Sequence, residues 1–286
     1  MLTEKAYAKI NYCLNVSKKR PDGYHNLVTV MQTVSLCDVV TLTPRGDGCL
    51  CLETDMGGEP EKNLALRAAR AYFANTETCG YIIALEKHIP VAAGLGGGSA
   101  DAAAVLRALN RKEKRYTAAE LSALALSLGA DVPFCLSGGA CLCRGVGEVM
   151  TPVINRAAHT LVVAAAGEGV STPAAFAALD AARAKTQKIL PEFTPSGLIS
   201  ALEQGNTADL SQNLFNDFES VILPVRPAAR ALKETLIEAG ALTALMSGSG
   251  PAVFGVFSDA AVAEKTAKNI TSRGQFAAVA VPVGPF

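Results

Sequence analysis

Pro90-Val-Ala-Ala-Gly94-Leu-Gly-Gly-Gly-Ser99-Ala100 carries more glycine than any ordinary turn requires. Four glycines in five positions let the backbone approach a ligand closely and turn several N–H groups toward one point. The Ala-rich run from Ala100 to Leu109 predicts a helix beginning directly after the loop, with Ser99 as its N-cap. The positive end of that helix's dipole favours an anion at the same place, so the stretch reads as a phosphate loop rather than a bare strand-to-helix connection. Two common nucleotide loops do not fit. Counted from Gly94, G-x-x-x-x-G-K-[ST] meets Ser99 at its second Gly and has no Lys after it, and G-x-G-x-x-G fails at the same serine. The Ser99 hydroxyl could instead face a phosphate oxygen or a phosphate-bound Mg²⁺.

On the amino-terminal side, Ala6 to Val16 and Val28 to Leu42 read as strands separated by the turn-rich Lys18-Lys-Arg-Pro-Asp-Gly-Tyr-His25. A helix is predicted over Leu64 to Ala74 and a strand over Tyr81 to Lys87. Beyond the loop, Thr117-Ala-Ala-Glu120 has a capping-box pattern, and its helix is expected to stop at Gly129, with Asp131 and Pro133 just past the stop. A composition shift near residues 150–160 suggests two domains, 1–155 and 156–286. The second half predicts a strand over Thr160 to Ala166 and helices over 174–187, 196–204, 207–218 and Pro227 to Gly240. Two strands, Leu242 to Met246 and Ala252 to Phe257, flank Ser247-Gly-Ser-Gly250, and a helix (259–272) and a strand (276–282) follow. Two tightly joined strands between helices suggest a split β-α-β arrangement. The expected class is α+β, with two domains meeting at a cleft.

The 286 residues balance 26 Lys plus Arg against 26 Asp plus Glu, and 50% are hydrophobic, which is a globular composition. Zero net charge leaves no broad field for gripping a nucleic-acid backbone. No uncharged apolar run reaches the roughly 18–20 residues a membrane span needs, and Met1-Leu-Thr-Glu-Lys-Ala-Tyr7 lacks a signal-peptide layout. A soluble cytoplasmic protein, monomer or homodimer, without nucleic-acid or membrane partners, is expected. The eight cysteines (13, 37, 49, 51, 79, 135, 141, 143) contain no C-x-x-C pair, so they read as small buried hydrophobes. Cys49/Cys51 and Cys141/Cys143 alternate with Leu as one face of a strand does. His25, His88 and His159 have no H-E-x-x-H spacing, so no dedicated metal cage is expected.

Two charges stand among apolar neighbours: Lys9 in Ala8-Lys9-Ile10-Asn11, and Asp131 in Gly129-Ala-Asp131-Val-Pro133. Buried charges are costly unless paired, and a Lys–Asp pair would satisfy both. Such a pair is either a structural salt bridge or a device for removing a hydroxyl proton and stabilising the anion. Ser247-Gly-Ser-Gly250-Pro251 is likewise either a plain hairpin or a second set of phosphate donors.

Taken together, these residues resemble a known family. The Pro90–Ala100 run is similar to the phosphate loop of the galactokinase, homoserine kinase, mevalonate kinase and phosphomevalonate kinase (GHMP) superfamily. Ala8-Lys-Ile-Asn11, Arg20-Pro-Asp-Gly-Tyr-His25, Leu128-Gly-Ala-Asp-Val-Pro133 and Met246-Ser-Gly-Ser-Gly-Pro251 occur in the order of its non-mevalonate isoprenoid branch, which phosphorylates a cytidine-bearing methylerythritol. Ala100 departs from the second Ser of many members. The resemblance implies a two-domain GHMP-kinase fold, with an N-terminal ribosomal protein S5 domain 2-like part and a C-terminal ferredoxin-like split βαβ part. It implies ATP-dependent phosphorylation of the 2-hydroxyl, a tertiary alcohol, with Asp131 as general base and Lys9 positioning it. ATP would be held by Pro90, Val91, Ala92, Ala93, Gly94, Leu95, Gly96, Gly97, Gly98, Ser99 and Ala100, with Asn63 near the nucleoside and Ser247, Gly248, Ser249 and Gly250 from the second loop. Asn11, Tyr24, His25, Thr172 and Phe176 would bind the substrate, Tyr24 and His25 at the cytosine. Mg²⁺ would arrive with the nucleotide. Three alternatives stay open at this level: a homoserine- or mevalonate-class kinase, a non-catalytic nucleotide-binding module, and a nicotinamide-dependent oxidoreductase whose loop lacks its third Gly.

Overall fold

The structure is a computed structural model that describes residues 1–53, 59–74, 76–186 and 193–286. Two long strands, β1 (Leu2–Lys19) and β2 (His25–Pro44), pair antiparallel and form its spine. They are followed by β3 (Leu50–Glu53), α1 (Leu64–Tyr72), β4 (Tyr81–Glu86), α2 (Gly97–Glu113), α3 (Ala118–Leu128), α4 (Val132–Ser137), β5 (Ala140–Gly145) and β6 (Val149–Val153). The second half runs β7 (Thr160–Ala165), α5 (Thr172–Thr186), α6 (Ser196–Gln204), α7 (Thr207–Gln212), β8 (Phe215–Asn216), α8 (Glu219–Ile222), α9 (Pro227–Glu238), β9 (Thr243–Met246), β10 (Val253–Phe257), α10 (Ala260–Ser272) and β11 (Phe276–Ala280).

The first sheet has the order β3-β4-β2-β1-β8, with β5 on the first part of β2 and β6 beyond it. The second is antiparallel in the order β11-β7-β10-β9, which is the arrangement of a ferredoxin-like split β-α-β unit. Both α+β halves expected from the sequence are therefore present.

Helix α2 crosses the first sheet, and its small side chains explain how it gets so close. Ala100, Ala102, Ala103, Ala104 and Ala108 are all buried, so the helix sits flush where larger residues would hold it off. Enlarging one of them, as in Ala103→Leu, would overpack this layer by about 1–3 kcal/mol. The capping box of α3 is formed as predicted: Thr117 Oγ1 accepts from the Glu120 amide and Glu120 Oε2 accepts from the Thr117 amide.

Four expectations need correction. Helix α2 starts at Gly97, so Ser99 lies inside its first turn and is not the N-cap; Gly96 precedes the helix with φ of +71°. The helix predicted over 207–218 stops at Gln212, and Phe215–Asn216 instead pair parallel with Cys13–Leu14 of β1. Tertiary contact decides that segment: Asn216 Nδ2 donates to the Met246 and Gly248 carbonyls at 2.7 and 2.9 Å. The helix expected over 174–187 begins two residues earlier, and residue 187 lies outside the described residues. Of the cysteines, Cys13, Cys135, Cys141 and Cys143 are buried as expected, whereas Cys49 and Cys79 are exposed and Cys37 and Cys51 half-buried.

After β11 the chain returns to the first sheet. Val283 N donates to Thr33 O, Phe286 N donates to Ser137 O, and the Phe286 ring stacks on Tyr7 and carries the Arg107 guanidinium 4.4 Å from its centroid.

Candidate active site

Lys9 is placed by an irregularity in β1. The pairing with β2 shifts register between Tyr7 and Lys9, and such bulges re-aim a side chain. Lys9 and Asn11, two residues apart on one face, then point the same way. Lys9 Nζ donates to Asn11 Oδ1 (2.9 Å), Asn11 Nδ2 donates to Thr29 Oγ1 (2.8 Å), and that hydroxyl donates to Cys13 O (2.6 Å). This buried relay fixes the amine. Asp131 Oδ2, on the residue that precedes α4, stands 3.7 Å from the amine. The aspartate is not buried as its apolar neighbours suggested. Its side chain is 39% exposed and opens into a cavity, because the loop before a helix leaves its terminus uncovered.

The glycine loop passes directly beside the amine. Lys9 N donates to Leu95 O at 3.0 Å, and a Cβ built on Gly96 would lie 2.9 Å from Lys9 Cγ. At Gly94 (φ +83°) a Cβ would meet Ser247 O at 2.2 Å, so only glycine lets the two glycine loops touch. They are also bonded to each other: Ser247 Oγ donates to Gly94 O at 3.0 Å and Ala252 N to Ala93 O at 3.0 Å. The sequence left Ser247-Gly-Ser-Gly250 open between hairpin and donor set; in the fold it is a turn between β9 and β10 that buttresses the first loop.

Around these groups lies a cavity of ≈ 1010 Å³. Lys9, Asp131, Asn11, Asn63, Pro90 to Ser99, Gly248 and Ser249 line it, as do Tyr24, His25, Thr172 and Phe176. Asn63 also caps α1, accepting from Ala65 N at 2.9 Å. Thr172 Oγ1 lies 3.1 Å from Ser249 Oγ, which links α5 to the second glycine loop. Three expected residues do not line it. Ala100 is buried inside α2, Ser247 is turned toward Gly94 O, and Gly250 lies in the turn behind Ser249.

At one end of the cavity, Phe176 stacks on His25 (centroids 4.8 Å apart, 19° between planes) and meets Phe218 edge-on. Tyr24 is 63% exposed and sits at the rim. At the other end, Lys87 bridges two carboxylates, pairing with Asp38 and with Asp101 Oδ2. Asp38 Oδ1 accepts the His88 and Ile89 amides at 2.6 and 2.8 Å. Burial pushes the Asp101 carboxyl up to about 7 against the opposing pull of Lys87, and Asp101 Oδ1 has no hydrogen-bond partner among the described residues. Sequence reading missed this cluster and Phe218 and Asp180. An aspartate in the alanine-rich Ala100–Ala104 stretch is the same buried-charge signal that singled out Asp131, but nothing local ties it to residues 38 and 87.

Among the described residues no group of three or more His, Cys, Asp or Glu side chains is gathered for a metal ion. Among the described residues no helix is long and apolar enough to cross a membrane.

A glycine cradle, a helix start, and an amine–carboxylate pair in one cleft between an α+β half and a split β-α-β half define a small-molecule phosphotransferase. Family models agree with that geometry: GHMP kinases N terminal domain matches residues 63–139, and GHMP kinases C terminal matches residues 198–275. The chain belongs to the GHMP kinase family.

Within the family, it is similar to 4-diphosphocytidyl-2-C-methyl-D-erythritol kinase of Clostridium botulinum, 40% identical over 90% of this chain and 91% of the relative. The protein of that name from Caldicellulosiruptor saccharolyticus is 38% identical over 93% and 91%. A crystal structure of 4-(cytidine 5'-diphospho)-2C-methyl-D-erythritol kinase superposes with a TM-score of 0.82 at 32% identity, covering 99% of this chain and all of the other. At these identities and coverages, the chain sits with the 4-diphosphocytidyl-2-C-methyl-D-erythritol kinases of the family.

Proposed function

We propose that the chain transfers the γ-phosphoryl group of ATP to the 2-hydroxyl of 4-diphosphocytidyl-2-C-methyl-D-erythritol. The observation that carries this reading is the placement of Lys9 and Asp131 against the Gly94–Ser99 cradle, in a cavity whose far end is an aromatic slot. Residues 1–155 would supply the cradle and the reacting pair, and residues 156–286 the second glycine loop and α5.

In this reading the backbone donors of Gly94 to Ser99 and the start of α2 hold the triphosphate, with Ser249 above it and Asn63 toward the nucleoside. The cytosine enters beside His25, Phe176 and Tyr24, and the methylerythritol hydroxyl reaches Asn11 and Asp131. Asp131 accepts the hydroxyl proton as the oxygen attacks, and the Lys9 ammonium offsets the negative charge that develops on it. Most of the rate comes from aligning donor and acceptor rather than from covalent chemistry by the protein. Mg²⁺ would arrive with the nucleotide, held by its phosphates; when bound it would shield phosphate charge.

The test is ADP release by the purified chain with ATP and Mg²⁺, comparing the cytidylyl substrate with homoserine and mevalonate. Turnover confined to the cytidylyl substrate is expected. Turnover with homoserine or mevalonate alone would move the chain to another branch of the family.

A further inference from the structure

Helix α5 presents Phe176, Asp180 and Arg183 at a spacing that puts them on one face. Phe176 stacks on the His25 ring, and one turn later Asp180 Oδ1 lies 2.8 Å from His25 Nε2. In the next turn Arg183 donates to Val16 O at 2.6 Å and to Asp217 Oδ2 at 2.7 Å, and the same Asp217 oxygen accepts Val16 N at 2.7 Å. The face of α5 is thereby locked to the end of β1, and the imidazole is gripped from the side and from below. His25 is buried and Asp180 half-buried, and both line the cavity.

The chemistry of that grip has a direction. An ionised carboxylate has no proton to give, so the ring must donate through Nε2–H. In the neutral ring this leaves Nδ1 as a lone-pair acceptor, and Nδ1 makes no hydrogen bond among the described residues. An acceptor beside stacked aromatic rings complements a planar base that offers an exocyclic amine. Cytosine carries a C4 amino donor, whereas uracil carries a carbonyl acceptor at the same position, which would set lone pair against lone pair.

We propose that Asp180 is a positioning residue that holds His25 as an acceptor at Nδ1 and so makes the slot select cytosine over uracil. The inference rests on the reading of this slot as the substrate's base site. A merely structural His–Asp tie between α5 and β2 would stabilise the fold without discriminating between bases.

The experiment is calorimetric titration of CDP and of UDP into the full chain, with the glycine cradle kept saturated by β,γ-methylene-ATP. The wild type is expected to prefer CDP by about 10- to 100-fold, the range that one well-placed donor–acceptor match supplies. Asp180→Ala is expected to bring that ratio to within about threefold of unity, chiefly by weakening CDP, while β,γ-methylene-ATP binds as before. Asp180→Asn, whose amide oxygen still accepts from Nε2–H, is expected to keep most of the preference, and it tests the idea should the alanine variant fold poorly. A wild-type CDP/UDP ratio in Asp180→Ala would overturn the inference while leaving the base site intact. If neither pyrimidine nucleotide binds the wild type while the ATP analogue does, the base-site reading falls as well.

Discussion

Lys9 Nζ stands 3.7 Å from Asp131 Oδ2 while donating to Asn11 Oδ1 at 2.9 Å, so the amine is shared between a fixing partner and a carboxylate that opens to the cavity. A fully sequestered salt bridge would bring the two charges to about 2.8 Å and bury both. Here the ammonium is buried and the carboxylate is not. That arrangement keeps a positive charge in place without closing off the group that must meet a hydroxyl.

Thr29→Val tests the relay behind the amine. The hydroxyl both accepts from Asn11 and donates to Cys13 O, so valine leaves an amide and a carbonyl without their partners, at about 1–3 kcal/mol. We expect the turnover number to fall by roughly tenfold with the KM for ATP unchanged, because Asn11 and Lys9 lose their orientation while the cradle is untouched. Steady-state ADP release checks this.

Gly94→Ala and Gly96→Ala separate the two duties of the first loop. At Gly94 the new methyl meets a backbone carbonyl, Ser247 O, which cannot move without parting the two glycine loops. A loss of about 2 kcal/mol or more of stability and at least tenfold weaker ATP binding are expected. At Gly96 the nearest atom is the flexible Lys9 Cγ at 2.9 Å, so the damage should fall mainly on turnover. Melting temperatures and calorimetric titration with β,γ-methylene-ATP distinguish them.

Asp101 predicts a stability slope with pH. Its folded value, pushed up to about 7, lies above the unfolded value near 4, so the native state binds the extra proton between those limits. The stabilisation is full below pH 4 and is lost as pH rises through 7. Asp101→Asn is uncharged throughout and leaves the Lys87–Asp38 pair in place, so its melting temperature should rise relative to the wild type as pH goes from about 4 to about 7 and keep that lead at higher pH. His159 acts in the opposite sense: burial brings it down to about 4, so its contribution is present above about 6.5 and is lost as pH falls through 4. Thermal melts of both proteins across this range measure the difference.

Much of this was legible along the chain because its signals are local. The glycine run, the capping box at Thr117 and the tight strand pair around Ser247–Gly250 each declare themselves within a dozen residues. What the sequence hid lies where distant segments meet. Asn216 sits in a stretch of helical pattern, yet its side chain is claimed by the Met246 and Gly248 carbonyls and its backbone by β1. Ser99 looked like a helix cap because its hydroxyl is the first side-chain acceptor after the glycines, but the flexible Gly97 and Gly98 were recruited into the first turn. The Asp38–Lys87–Asp101 cluster spans more than sixty residues of chain and has no motif to announce it.

The most direct test of the central claim is a single-turnover measurement on Asp131→Asn, with enzyme in excess over γ-labelled ATP and the cytidylyl substrate saturating. The substitution keeps the side chain's shape and removes its capacity to accept a proton. If Asp131 takes the hydroxyl proton, the rate constant should drop by about 10²–10⁴-fold while both ligands bind as they do to the wild type. A rate within a few-fold of the wild type would contradict the account.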